Sequence, residues 1–78
     1  MTYPKLTGVT PLDDFCLLLS FGDETRVYDF KPNLDHKYYQ PLASESLFRR
    51  VSVIGGELEW VTGQDFCPHT LYEQSAPV

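Results

Sequence analysis

The sequence predicts an α+β domain: a two-layer sandwich built on a mainly antiparallel five-stranded sheet, with the element order βββ-α-ββ-α. Three observations predict it. "FCLLLSF", "GD" and "ETRVYDF" read as two strands around a two-residue turn. "VSVIGGELEWV" reads as a second hairpin. "SESLFRR" and "PHTLYEQS" carry helix-start chemistry.

The elements follow in order. "KLTGVT", Lys5–Thr10, is an edge strand, and "PLDD" after it is turn chemistry. In "FCLLLSF" Phe15, Leu17, Leu19 and Phe21 alternate onto one face, with Cys16, Leu18 and Ser20 on the other. A primed turn at Gly22-Asp23 pairs Phe21 with Glu24, Leu17 with Tyr28 and Phe15 with Phe30. A slip of one residue would set Leu17 against Asp29, so the register is well specified. "KPNLDHKYYQPL" holds two prolines and no period; it is a loop with one helical turn around Asn33–Asp35. In "SESLFRR" Ser44 is placed to cap, Glu45 suits the positive end, Arg49 and Arg50 suit the negative end, and Leu47 and Phe48 anchor the helix to the sheet. Gly55-Gly56 supply the two positive-φ positions of a type I′ turn, which sets Val51 against Trp60 and Val53 against Leu58. A final short helix begins at Pro68, where the missing N–H costs nothing. Residues 1–78 form a single domain in which 74–78 are expected to fray.

Composition narrows the function. The 78 residues are enough for one small core, and five Phe, five Tyr and one Trp supply its bulk. The formal net charge is −5, and the basic residues Lys5, Arg26, Lys31, Lys37, Arg49 and Arg50 are scattered apart from the final pair. A nucleic-acid binder needs a basic face to displace phosphate counterions, so no direct nucleic-acid contact is expected. An anionic membrane surface is disfavoured for the same reason, and no apolar run is long enough to span a bilayer. The N-terminus lacks the apolar core of a secretion signal, which makes the cytoplasm the expected compartment and Cys16 and Cys67 free thiols. A basic protein partner is electrostatically suited, and self-association is compatible with the same surface.

The stretch "QDFCPHTLYE" gathers Asp65, Cys67, His69 and Glu73, each a potential metal ligand. Zinc sites are mostly closed Cys/His sets at recurring spacings. Here one Cys and one His would need two carboxylates, across a link stiffened by Pro68. The helix-start reading is simpler: Cys67 at the cap position, Asp65 taking loop or first-turn amides in its place, and His69 and Glu73 paired four residues apart. A thiol nucleophile at Cys67 with His69 as base lacks an orienting group and an oxyanion pocket. No catalytic set and no cofactor site is assigned. Asp35-His36 is a solvated turn, and Trp60 is core. In the predicted register the outer face carries Leu18, Val27 and Ile54 among polar residues, with Glu57 and Glu59 on the same solvent side. These five are the candidate interaction surface.

"VTPLDDFCLLLSFGDETRVYDFKPNL", "PLASESLFRRVSV" and "GGELEWVTGQDFCPHTLYE" resemble a small bacterial family, the domain of unknown function 2442. The resemblance is carried by Val9, Pro11, Leu12 and Asp14; by Tyr28, Asp29, Phe30, Pro32 and Leu34; by Pro41, Leu42, Leu47, Phe48 and Val51; and by Trp60, Gly63, Asp65, Pro68, Leu71 and Tyr72. It implies a βββ-α-ββ core and no established activity. Some relatives are fused to a helix-turn-helix and others are encoded beside a small toxin-like protein, which implies an antitoxin-like or regulatory partner role. This chain departs from the family pattern at Cys67 and His69. The expectation is a small acidic, non-enzymatic protein-interaction module. The alternative is a small-molecule or metal-binding domain using Asp65–Glu73.

Overall fold

The structure is a computed structural model that describes residues 4–78; residues 1–3, part of the expected 1–78 domain, lie outside the described residues. The fold is α+β. Its strands are β1 (Leu6–Pro11), β2 (Cys16–Phe21), β3 (Glu24–Asp29), β4 (Val51–Ile54), β5 (Glu57–Trp60), β6 (Asp65–Phe66) and β7 (Ala76–Pro77). Its α-helices are α1 (Glu45–Phe48) and α2 (Pro68–Gln74). The strands form two sheets, β1-β2-β3-β7 and β4-β5-β6, and every ladder is antiparallel. This corrects the single five-stranded sheet and the order βββ-α-ββ-α. The five predicted strands exist, but β1 only packs beside β4 without laddering to it. The two extra strands hold two residues each, too few to show a period of two in sequence.

The first hairpin keeps the predicted register: Phe21 opposes Glu24, Leu19 opposes Arg26 and Leu17 opposes Tyr28. Leu17, Leu19, Phe21 and Tyr28 are buried, so the alternating apolar residues do share the core face. Gly22 carries φ 63° and Asp23 does not enter the positive region, the φ pattern of a type II′ turn. Phe15 departs from its predicted strand position. It and Asp14 carry φ values of 58° and 63°, which turn the chain sharply before β2 begins. Phe30 still meets it, through a bond from the Phe30 amide to the Phe15 carbonyl at 3.0 Å.

The second hairpin also has the predicted register, Val51 against Trp60 and Val53 against Leu58. Gly55 and Gly56 hold φ 60° and 82°, which a type I′ turn requires at both positions and which side chains resist. Trp60 is buried, and its indole N–H donates to the Phe48 carbonyl at 2.9 Å, so no polar atom is orphaned by its burial.

Between the hairpins the chain runs through two 3-10 segments, Lys31–Asp35 and Lys37–Ala43. The first matches the expected turn; the second, which buries Leu42, replaces the expected loop, since a prolyl residue and three-residue spacing leave no 3.6 period in the sequence. In α1, Ser44 occupies the cap position but its hydroxyl pairs with Ser46 instead of the helix amides. Phe48 is buried, while Arg49 reaches Glu45 and Asp13.

Phe30 sits at the centre of the core, with the rings of Trp60, Tyr39, Phe48, Phe66 and Tyr28 at centroid distances of 5.0, 5.3, 5.6, 5.8 and 6.2 Å. Leu71 of α2 closes the same core. The segment 74–78, expected to fray, is instead tied down. β7 ladders to β3, the Val78 amide donates to the Thr25 carbonyl, and Arg26 bonds both the hydroxyl and the carbonyl of Ser75 at 2.7 and 2.6 Å. Among the described residues no helix is long and apolar enough to cross a membrane.

Candidate functional site

The candidate ligands Asp65, Cys67, His69 and Glu73 do not converge. Asp65 lies in β6 opposite Glu59; its carboxylate accepts from the Tyr38 hydroxyl at 3.3 Å, and its carbonyl accepts from Tyr39 at 3.0 Å. It therefore fastens the 3-10 segment to the small sheet, which corrects its expected role as a substitute helix cap. Cys67 is exposed at the cap of α2, as predicted. The Thr70 amide, and after it the His69 amide, stabilise its thiolate and hold the thiol below its ordinary range. His69 pairs with Glu73 at 3.2 Å along the outside of the helix. Among the described residues no three His, Cys, Asp or Glu side chains are grouped to hold a metal.

The five surface candidates divide between the two sheets, which corrects their placement on one face. Leu18 and Val27 oppose each other on the outer face of the four-stranded sheet, both half-buried, in a row that continues to Thr10 and Ala76. Ile54, Glu57 and Glu59 belong to the three-stranded sheet. There Ser52, Glu59 and Asp65 form one outward row, and Ile54 opposes Glu57 in the next. Ile54 is 57% exposed.

That outward face is negative and unneutralised. Glu59 and Asp65 stand opposite each other across β5 and β6, and Glu57 lies two residues along the same strand face. Among the described residues none of the three forms an ion pair. Three of the six Lys and Arg side chains are spent elsewhere: Arg26 on Glu24, Lys31 on Asp14 and Asp29, and Arg49 on Asp13 and Glu45. Like charges directly opposed across strands destabilise a sheet; Asp65 is fastened by Tyr38, but among the described residues no side-chain bond or ion pair accounts for Glu59 opposite it.

A second polar cluster was not foreseen. Arg26 points to the inner face, with its side chain 12% exposed, and its guanidinium lies 4.4 Å from the centroid of the Tyr72 ring. Glu24 accepts from Arg26 at 2.5 Å and from the Tyr72 hydroxyl at 2.8 Å. The Tyr72 bond first, and Arg26 second, hold the Glu24 carboxyl below its usual range. The signal was in the register. Opposite Leu19, Arg26 had to face inward, and Glu24 is the anion two residues away on that face. The cluster locks α2 and β7 to the large sheet, so its role is structural.

At the start of β2, the Lys31 ammonium gathers the Asp14 carboxylate, the Asp14 carbonyl and the Asp29 carboxylate, each at 3.0 Å. Asp29 also accepts from the Lys31 amide, and this bond first, then the ammonium, lowers its pKa. Asp14 and Asp29 thus brace the turn where the backbone takes two positive φ values in succession. Asp35 and His36 remain exposed in the connecting loop.

The family described as "Protein of unknown function (DUF2442)" matches residues 6–77. No curated protein and no solved structure matches the chain. The residues that carry the resemblance are chiefly scaffold: Phe30, Leu42, Phe48, Trp60 and Leu71 fill the core, and Asp14 and Asp29 brace the turn before β2. With the match running from the first residue of β1 through the last of β7, the chain belongs to the DUF2442 family of proteins of unknown function.

Proposed function

We propose that this protein is a non-enzymatic interaction module that binds a basic segment of a partner protein on the outward face of β4-β5-β6. One observation carries the reading: Glu59 stands directly opposite Asp65, with Glu57 beside them, and among the described residues none of the three is paired with a cation. A partner supplying Lys or Arg would relieve that repulsion on binding. Exposed Ile54 adds an apolar contact at the edge of the charged rows. The overall charge of −5 would speed encounter with such a partner and make association weaken as salt rises. The same repulsion disfavours pairing of two copies through this face. A cytoplasmic, antitoxin-like or regulatory setting agrees with the family resemblance.

The test is capture from native lysate at low salt with the wild-type protein and with the Glu57→Lys/Glu59→Lys double variant, bound proteins being identified by mass spectrometry. The reading expects a basic protein that is retained by the wild type, released by added salt and lost with the variant, whose melting temperature shows it folded. A partner retained equally by both proteins would refute this face as the binding surface.

A further inference from the structure

A cavity of about 330 Å³ opens beside the acidic face, lined by Lys5, Leu6, Gly55, Gly56, Glu57 and Pro68. It lies at the small end of ligand-binding sites, which span about 300–1,000 Å³. Its lining has an order. Pro68, the first residue of α2, supplies apolar surface, and Leu6, buried in the core, floors the hollow. The Gly55-Gly56 turn presents bare backbone. Lys5 and Glu57 bring one positive and one negative side chain to the same hollow, yet among the described residues they form no ion pair with each other or with any other group.

Gly56 matters to this shape. A Cβ built there would stand 3.2 Å from Lys5 Cε, so any larger residue would push the lysine away from the turn. The glycine lets the aliphatic stem of Lys5 lie close over the hairpin, beside the hollow that Lys5 lines. Two opposite charges that share a small cavity without touching favour a ligand that spans them with the complementary pair. Lys5 would take an anionic group, Glu57 a cationic one, and the apolar lining the stem between them.

We propose that this cavity binds a small zwitterion of the amino-acid class, its carboxylate at Lys5 and its ammonium at Glu57. The site shares Glu57 with the proposed partner surface but does not depend on that reading, because Lys5, Leu6 and Pro68 lie outside the charged rows.

The probes are glycine, 4-aminobutyrate and 6-aminohexanoate, with butylamine and butyrate as single-charge controls. Each is titrated into the 15N-labelled protein and followed by amide chemical shifts. The expected result is saturable shifts at Leu6, Gly55, Gly56 and Glu57 for at least one zwitterion, with a Kd on the order of 1 mM. Each control should bind about fivefold more weakly or worse, as should Lys5→Met and Glu57→Gln, both checked as folded by their spectra. Absence of saturable shifts with all three zwitterions would overturn the proposal. So would controls that bind as well as the zwitterions, or a Lys5→Met protein that binds like the wild type. Because Lys5→Met spares the charged rows, it separates this site from partner capture: it should lose the zwitterion and keep the basic partner.

Discussion

The guanidinium of Arg26 lies over the ring of Tyr72, 4.4 Å from its centroid, and both side chains bind the same carboxylate, that of Glu24. A charge on the inner face of a sheet is tolerated only when it is paired and hydrogen-bonded. Here the pairing also reaches Ser75 and so holds the end of the chain on β3. Replacing Arg26 with Ala strands Glu24 and releases Ser75 together. The expected cost is about 2–4 kcal/mol by urea denaturation. Amide exchange should show a local effect as well: the Val78 amide, bonded to Thr25, should lose protection more than the β4–β5 hairpin does.

The same cluster sets a pH dependence. Tyr72 and Arg26 lower the Glu24 pKa, and the Lys31 amide lowers that of Asp29. A carboxyl depressed in the folded state contributes stability that is complete above its unfolded pKa and is lost as pH falls through its folded value. Thermal stability should therefore hold at neutrality and decline below about pH 4.5. On the alkaline side the hydrogen bond to Glu24 raises the Tyr72 pKa, so that contribution is complete below about pH 10 and is lost as pH rises further. Glu24→Gln should flatten part of the acid limb and Tyr72→Phe part of the alkaline one, read as melting temperature against pH.

The two hairpins were legible because each has a two-residue turn of Gly-Asp or Gly-Gly between strands that alternate cleanly, and a slip in either would expose its core face. The division into two sheets was not, because β1 and β4 lie side by side without sharing a ladder, and no local pattern records the absence of a ladder. β6 and β7 are two residues long and are created by tertiary contacts: Asp65 with Glu59 and Ala76 with Val27. The positive φ at Phe15 ran against its propensity. A brace around Lys31 and an edge-on contact with Phe48 at 5.2 Å hold it there. Among the candidate site residues, Cys67, His69 and Glu73 stand where the helix-start reading set them. Asp65 does not, since its partner Tyr38 is distant in sequence.

Core substitutions should be severe in so small a domain. Phe30 touches five other rings, and Phe30→Ala is expected to cost about 3–5 kcal/mol, close to the total stability of about 5 kcal/mol expected for a domain of this size. The variant should be largely unfolded by circular dichroism at room temperature. Trp60→Phe is subtler, because it keeps one aromatic ring but removes the pyrrole part of the indole and with it the donor to the Phe48 carbonyl. An unpaired buried carbonyl costs about 1–3 kcal/mol, so this variant should fold with a lowered urea midpoint.

The thiols offer a chemical test of the helix-start geometry. Cys67 is exposed at the start of α2, where the backbone amides of Thr70 and His69 lower its pKa, whereas Cys16 is half-buried. Cys67 should be alkylated first, with a rate-against-pH midpoint below the ordinary thiol value of about 8.5. Zinc should leave the melting temperature unchanged, since Asp65 is held by Tyr38 and His69 by Glu73. A zinc-dependent rise that disappears on alkylation would mean that the four side chains can be drawn together.

The repulsion between Glu59 and Asp65 yields a prediction about stability that bears directly on function. Glu59→Gln removes one of two opposed charges without changing shape. It should raise stability by about 0.2–1 kcal/mol at low salt, and the gain should shrink as added salt screens the pair. The same substitution should weaken capture of a basic partner. A residue that costs the isolated fold something while strengthening an interaction is kept for that interaction. Thermal melts at two salt concentrations and a binding assay on the one variant separate the possibilities. If Glu59→Gln destabilises the protein, Glu59 serves the sheet and the acidic face loses its claim to be a binding surface.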